Sequence, residues 1–113
     1  MKKRQLRLAE EIRDIIASTI TIELSDQRTR QVVITHVRLT PDFTLATVYY
    51  RYFGTGYERE EIQQGLESCK GYLRGVVSKK LDYLRKIPQF RFVFDESVEE
   101  GSRIEGLLSK LKS

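Results

Sequence analysis

VVITHVRLTPDFTLATVYYRYF, residues 32–53, decides the fold. Two runs rich in β-branched and aromatic residues flank TPDFT, and each alternates with the period of two that a half-buried strand requires. In the first, Val33, Thr35, Val37 and Leu39 alternate with Val32, Ile34, His36 and Arg38. In the second, Ala46, Val48, Tyr50 and Tyr52 alternate with Leu45, Thr47, Tyr49, Arg51 and Phe53. Between them Pro41 presets φ and Asp42 offers a carboxylate to backbone N–H groups, which makes a turn. The pair is expected to be an antiparallel hairpin.

Upstream, Leu8, Ile12, Ile15, Ile16 and Ile20 recur at helical spacing and predict a helix from residue 3 to about 23, ahead of the polar loop SDQRTRQ. Downstream, GTG at 54–56 breaks the second strand. Ile62, Leu66, Cys69, Leu73, Val76 or Val77, Leu81 and Leu84 then mark one helical face running from 57 to about 86. Pro88 closes that region, since the residue before a proline is pushed toward extended geometry. In QFRFVFDES, Phe90, Phe92 and Phe94 stand opposite Arg91 and Val93, a third strand. Ser97 and Glu100 form a capping box before Ile104, Leu107, Leu108 and Leu111, so a short C-terminal helix is expected over 97–113.

No repeat or linker divides the chain, and 113 residues suit one domain, with residues 1–4 expected to be a mobile N-terminus. Three strands with one apolar side need a covering layer, and the helices supply it: the fold class is two-layered α+β. No apolar run approaches the roughly 20 residues of a membrane span, and MKKRQLRLAEEIR lacks the apolar block of a secretory leader. A cytoplasmic protein without membrane contact is expected.

One cysteine, Cys69, and one histidine, His36, exclude an internal disulfide and the usual zinc ligand sets, so no metal or cofactor is expected. Cys69 lies on an apolar stripe and reads as a buried structural thiol. His36 reads as a surface side chain of a strand. An acid/base enzyme built on Asp42, His36 or Glu58 is disfavoured, because a turn, a strand and a helix start give no spacing that unites nucleophile, base and oxyanion donor.

Charge is unevenly spread. From Lys70 to Arg91 seven basic residues (Lys70, Arg74, Lys79, Lys80, Arg85, Lys86, Arg91) face the single acid Asp82, whereas Asp95, Glu96, Glu99, Glu100 and Glu105 face only Arg103. Such asymmetry points to a polyanion on one side of the molecule, nucleic acid being the commonest, with a merely solvated helix face as the alternative.

Gly71 and Gly75 sit four apart in the long helical region, although each interior glycine costs about 1 kcal/mol relative to alanine. A membrane G-x-x-x-G is excluded by Lys70, Arg74 and Lys79, and no phosphate-loop spacing is present. The expectation is a helix break at Gly71 that re-aims the basic second half. Close packing is left as an equal reading for Gly75.

LESCKGYLRG with LRKIP, then FRFVFDESVEEGSRIEGLL, together with LSDQR at 24–28 and VRLTPDFTLATVYY at 37–50, resembles the ribosome-binding factor A family along nearly the whole chain. The resemblance implies a type II KH-like fold, α-β-β-α-α-β with a three-stranded mixed sheet covered on one face by helices. It also implies an Ala-x-Gly interruption between two helices in place of the G-x-x-G loop. Cys69, Lys70 and Gly71 occupy those positions, with cysteine for the alanine, and Gln27 stands where a loop proline is frequent. The extended tail of some members has no counterpart, so no role of that tail is expected.

The function implied is a monomeric, non-enzymatic factor that binds the immature, free small (30S) ribosomal subunit through 16S rRNA. It would promote late maturation, including 5′-end processing, with ribosomal proteins and an assembly GTPase as further partners. Lys70, Arg74, Lys79, Lys80, Arg85 and Lys86 are expected to neutralise phosphates, with Lys2, Lys3, Arg4, Arg7, Arg28, Arg38 and Arg91 as secondary contacts. His36, Arg38, Tyr49 and Arg51 share the sheet face away from the core, where stacking on unpaired bases competes with the simpler expectation of an ordinary solvated sheet. The alternative function is a generic KH-type RNA-binding module without a ribosomal role.

Overall fold

The computed structural model describes residues 1–54 and 56–96. Its elements are α1 (Lys3–Ile22), a 3-10 turn (Gln27–Thr29), β1 (Val32–Leu39), β2 (Leu45–Tyr52), α2 (Arg59–Ser68), α3 (Lys70–Lys80) and β3 (Gln89–Phe94). This order, with a mixed sheet, is the α+β, type II KH-like architecture expected from the sequence. The C-terminal helix expected over 97–113, with its Ser97 and Glu100 box, lies outside the described residues.

The sheet runs β1-β2-β3. β1 and β2 are antiparallel, pairing Val32 with Tyr52 and Leu39 with Ala46. β2 and β3 are parallel, from Leu45 opposite Gln89 to Tyr50 opposite Phe94. A parallel return needs a long crossover, and α2 with α3 provides it. The hairpin turn is built by Asp42, whose Oδ1 accepts from the Thr40 hydroxyl at 2.8 Å, the Thr44 hydroxyl at 2.7 Å and the Thr44 N–H at 3.1 Å. Among the described residues no helix is long and apolar enough to cross a membrane.

β1 departs from strict alternation. The ladder shifts between Ile34 and His36, leaving Thr35 as an extra residue, so Val32 and Ile34 are buried before the bulge and Val37 and Leu39 after it. The sequence pattern placed these two pairs on opposite faces; the bulge turns both inward.

α1 lies on β1 and meets α3, and Ile12, Ile16, Val48, Leu66, Leu73 and Val77 are completely buried between them and the sheet. Tyr50 is buried with its polar end satisfied: its hydroxyl donates to Gln63 Oε1 at 2.5 Å, and Gln63 Nε2 donates to the Phe92 carbonyl at 2.9 Å. Gln5 joins the start of α1 to the end of β1 through its Nε2 and the Leu39 carbonyl at 3.1 Å.

The long helical region is divided at Cys69, the first residue of the Cys69, Lys70, Gly71 stretch where the resemblance implies an interruption, and two residues before the glycine on which the break was expected. Cys69 takes φ −101° and ψ 3°, outside the helical basin, and its N–H turns back to the Leu66 carbonyl at 3.2 Å. Its own carbonyl accepts from the Leu73 N–H at 2.9 Å and opens α3. Gly71 is therefore already inside the first turn of α3, and a β-carbon on it would meet nothing within 4 Å. Open space surrounds Gly75 in the same way, so close packing does not account for it. The glycine that packs is Gly65, where a β-carbon would stand 3.0 Å from Arg28 Cβ and 3.2 Å from Thr29 Cγ2.

α3 also ends earlier than the periodicity suggested, at Lys80 instead of about 86. Leu81 swings to ψ 60° and is buried, and the chain reaches β3 through turns. Arg74 fixes that path, donating from Nη2 to the Ile87 carbonyl at 3.0 Å and from Nε to the Pro88 carbonyl at 3.2 Å.

Candidate nucleic-acid interface

The last turn of α3 presents Lys79 and Lys80, and the turns that follow present Arg85 and Lys86, all four exposed or half-exposed. None of the four pairs with an acid among the described residues. The other two members of the expected set are held internally. Lys70 lies 2.5 Å from the Glu67 carboxylate, and Arg74 spends its donors on the two carbonyls before β3.

The second basic group opens α1. Lys2, Lys3, Arg4 and Arg7 carry it, and Arg7 lies 3.9 Å from Glu11, a weak surface pair. Arg4 and Arg7 join Leu8, Glu11, Phe43, Tyr83 and Leu84 in lining a cleft of about 430 Å³. Tyr83 closes it, its hydroxyl donating to Glu11 Oε2 at 2.6 Å, and the carboxylate acceptor holds the phenol pKa above its ordinary value. The tie brings the cations of α1 beside the loop that connects Lys80 to Arg85. Arg4 and Arg7 line the cleft, and the other cations flank its Tyr83 and Leu84 in the chain.

Of the remaining candidates, Arg28 is a local brace: it donates to Asp26 from Nε at 3.1 Å and Nη2 at 2.8 Å. Those bonds hold the Asp26 carboxyl below its ordinary pKa, and Asp26 in turn caps the 3-10 turn through the Arg28 N–H at 2.9 Å. Arg38 and Arg91 are exposed on the open face of the sheet. Sequence reasoning missed the cleft, its Phe43 wall and the Tyr83 tie. They depend on a loop folding back onto α1, and no local spacing encodes that.

Cys69 is 9% exposed, its Sγ donates to the Leu66 carbonyl at 3.2 Å, and burial pushes its thiol up to about 11, which leaves it protonated and unreactive at neutral pH. The residues weighed for acid/base chemistry are otherwise employed. Asp42 builds the hairpin turn, Glu58 caps α2 by donating its N–H to Glu61 Oε1 at 2.9 Å, and His36 stacks on Tyr49. What the arrangement offers is a set of exposed cations on α3 and the loop after it, and two more lining an aromatic cleft, suited to phosphate neutralisation.

A family model described as Ribosome-binding factor A matches residues 4–108. Ribosome-binding factor A of Geotalea daltonii is 36% identical over 113 residues, covering 100% of this chain and 91% of that protein. The crystal structure of ribosome-binding factor A from Thermus thermophilus superposes with a TM-score of 0.70 at 22% identity, covering 79% of this chain and 93% of that one. A homology model of the Thermus thermophilus factor, fitted into the cryo-EM map of a 30S–RbfA complex, superposes with a TM-score of 0.65 at 21% identity, over 81% and 96% of the two chains.

Proposed function

This chain belongs to the ribosome-binding factor A family, and on that premise we propose that it binds the immature small (30S) ribosomal subunit through 16S rRNA and assists its late maturation. The relative fitted into the map of a 30S complex supports the choice of partner. In this reading the protein is a monomeric, cytoplasmic and non-enzymatic factor that promotes 5′-end processing by holding the RNA, leaving cleavage to other proteins; ribosomal proteins and an assembly GTPase are its further partners.

The observation that carries the proposal is the shared flank. Lys79, Lys80, Arg85 and Lys86, which flank Tyr83 in the chain, are exposed and without an acidic partner among the described residues, and Tyr83 is tied to Glu11 of α1, whose Arg4 and Arg7 line the adjoining cleft. Rows of such cations release counterions when they meet phosphates, so affinity should fall steeply with salt. The test is sedimentation of the purified protein with free small subunits and with assembled ribosomes over a range of salt. Co-migration with the free subunit that fades as salt rises is expected. Equal migration with both particles, or indifference to salt, would overturn the proposal.

A further inference from the structure

The three strands contain no acidic residue. VVITHVRL, LATVYYRY and QFRFVF carry Arg38, Arg51, Arg91 and His36, and all four lie on the face that the helices leave open. The register arranges them in rows. Arg38, Thr47 and Arg91 run side by side across the sheet; His36, Tyr49 and Val93 form the next row, and Val33 with Arg51 the one beyond. An aromatic row is thus flanked by arginines on both sides.

The aromatic row is built before any ligand arrives. The rings of His36 and Tyr49 stack at 4.2 Å between centroids with 14° between planes. His36 Nδ1 lies 3.4 Å from Oδ2 of Asp95, a residue that is 2% exposed and that also accepts from the Thr35 hydroxyl at 2.6 Å. Arg51 Nη1 donates to the Asp95 carbonyl at 3.3 Å. The bulge at Thr35 is what places this hydroxyl and the His36 ring beside Asp95, which gives the broken register a purpose. The His36 side chain remains 50% exposed.

We propose that this open face is a second RNA site that takes an unpaired strand, with a base stacked on the His36–Tyr49 pair and the adjoining phosphates held by Arg38 and Arg91. The inference rests on the reading above that the partner is RNA, and adds that this part of it is single-stranded. The exposed charges on the strands, Arg38 and Arg91, favour a polyanion, the neighbouring Asp95 carboxylate being buried, and a preformed aromatic platform selects bases that are free to stack, as duplex bases are not.

The test uses the whole chain and dye-labelled RNA of about ten nucleotides, single-stranded or in duplex, read by fluorescence anisotropy. Single strands are expected to bind more tightly than duplex. His36→Ala and Tyr49→Ala should each weaken single-strand binding about tenfold while duplex binding stays level, and Tyr49→Phe should restore it. Arg38→Glu, at an exposed position that leaves folding alone, should weaken it as well. Equal affinity for strand and duplex would overturn the inference, as would single-strand binding that ignores both His36→Ala and Arg38→Glu. The helical flank is read separately with Lys79→Glu, Lys80→Glu on the small subunit. If that association falls while the sheet variants do nothing, the sheet site is refuted and the proposed function stands.

Discussion

The hydroxyl of Tyr83 meets the Glu11 carboxylate at 2.6 Å across 72 positions of sequence, and through it the loop after α3 closes on α1. The contact ties the loop between Lys80 and Arg85 to the helix that carries Arg4 and Arg7, so their effects on a polyanion should act together.

Charge reversal at Lys79 and Lys80 is the direct probe of that flank. Both are exposed, so Lys79→Glu, Lys80→Glu is expected to keep thermal stability within about 0.5 kcal/mol of the parent. Association with small subunits should weaken at least about tenfold, with the salt slope falling by about 0.9 for each phosphate no longer neutralised. Arg74→Ala should behave in the opposite way. Its removal strips partners from the Ile87 and Pro88 carbonyls and should cost about 1–3 kcal/mol in a denaturant melt, whatever it does to binding.

The glycines separate into two kinds. Gly65→Ala drives a methyl toward Arg28 Cβ and Thr29 Cγ2, backbone-proximal atoms with little room to retreat, and is expected to destabilise by about 1–3 kcal/mol. Gly75→Ala enters open space in a helix interior and should stabilise by about 0.5–1 kcal/mol. Gly71→Ala should gain less, lying in a first turn, and should leave the interruption at Cys69 in place. Melting curves of the three variants decide the point; a loss at Gly75 equal to that at Gly65 would show that α3 is tightly packed on that side.

How far the sequence could be read follows from the range of the interactions involved. The hairpin, α1 and the third strand were legible because each rests on side-chain periodicity within one element. The bulge in β1 was not, since a one-residue slip is set by what lies across the ladder, here Tyr49 and Asp95. Gly71 drew attention for its cost in a helix, yet the turn away from helical geometry falls at Cys69, whose thiol is buried against the core. The basic residues were visible as a run of charges. Their division into available cations at Lys79, Lys80, Arg85 and Lys86, and braces at Arg74, Arg28 and Lys70, depends on carbonyls and carboxylates that only the fold brings near.

Acid should probe the loop between α1 and β1. The Arg28 side chain lowers the Asp26 pKa in the folded protein, so the stability that the charged form adds is complete above the ordinary value of about 4 and is lost as pH falls through the lowered value. Asp42 contributes in the same direction, its pKa lowered first by the Thr44 and Thr40 hydroxyls. Asp26→Asn is therefore expected to melt below the parent at pH 7, with the gap closing below about pH 4 as the parent's own carboxylate is protonated. A gap that stays constant with pH would assign the loss to the cap geometry and not to charge.

Cys69 offers a test of the helix interruption itself. Burial holds its thiol up to about 11, so alkylation at a pH of about 8 should be slow in the native protein and fast in denaturant, with the native rate climbing as pH approaches that value. Native labelling at the unfolded rate would place the thiol on the surface and the break elsewhere. Cys69→Ala keeps a small apolar side chain in the same site and should cost only about 1 kcal/mol, whereas Cys69→Leu must find room for extra methylenes at a position 9% exposed and should cost about 1–3 kcal/mol. If the non-helical ψ at residue 69 is imposed by core packing and not by Gly71, small-subunit association should survive Gly71→Ala and weaken in Cys69→Leu, because only the second moves the axis that carries Lys79 and Lys80.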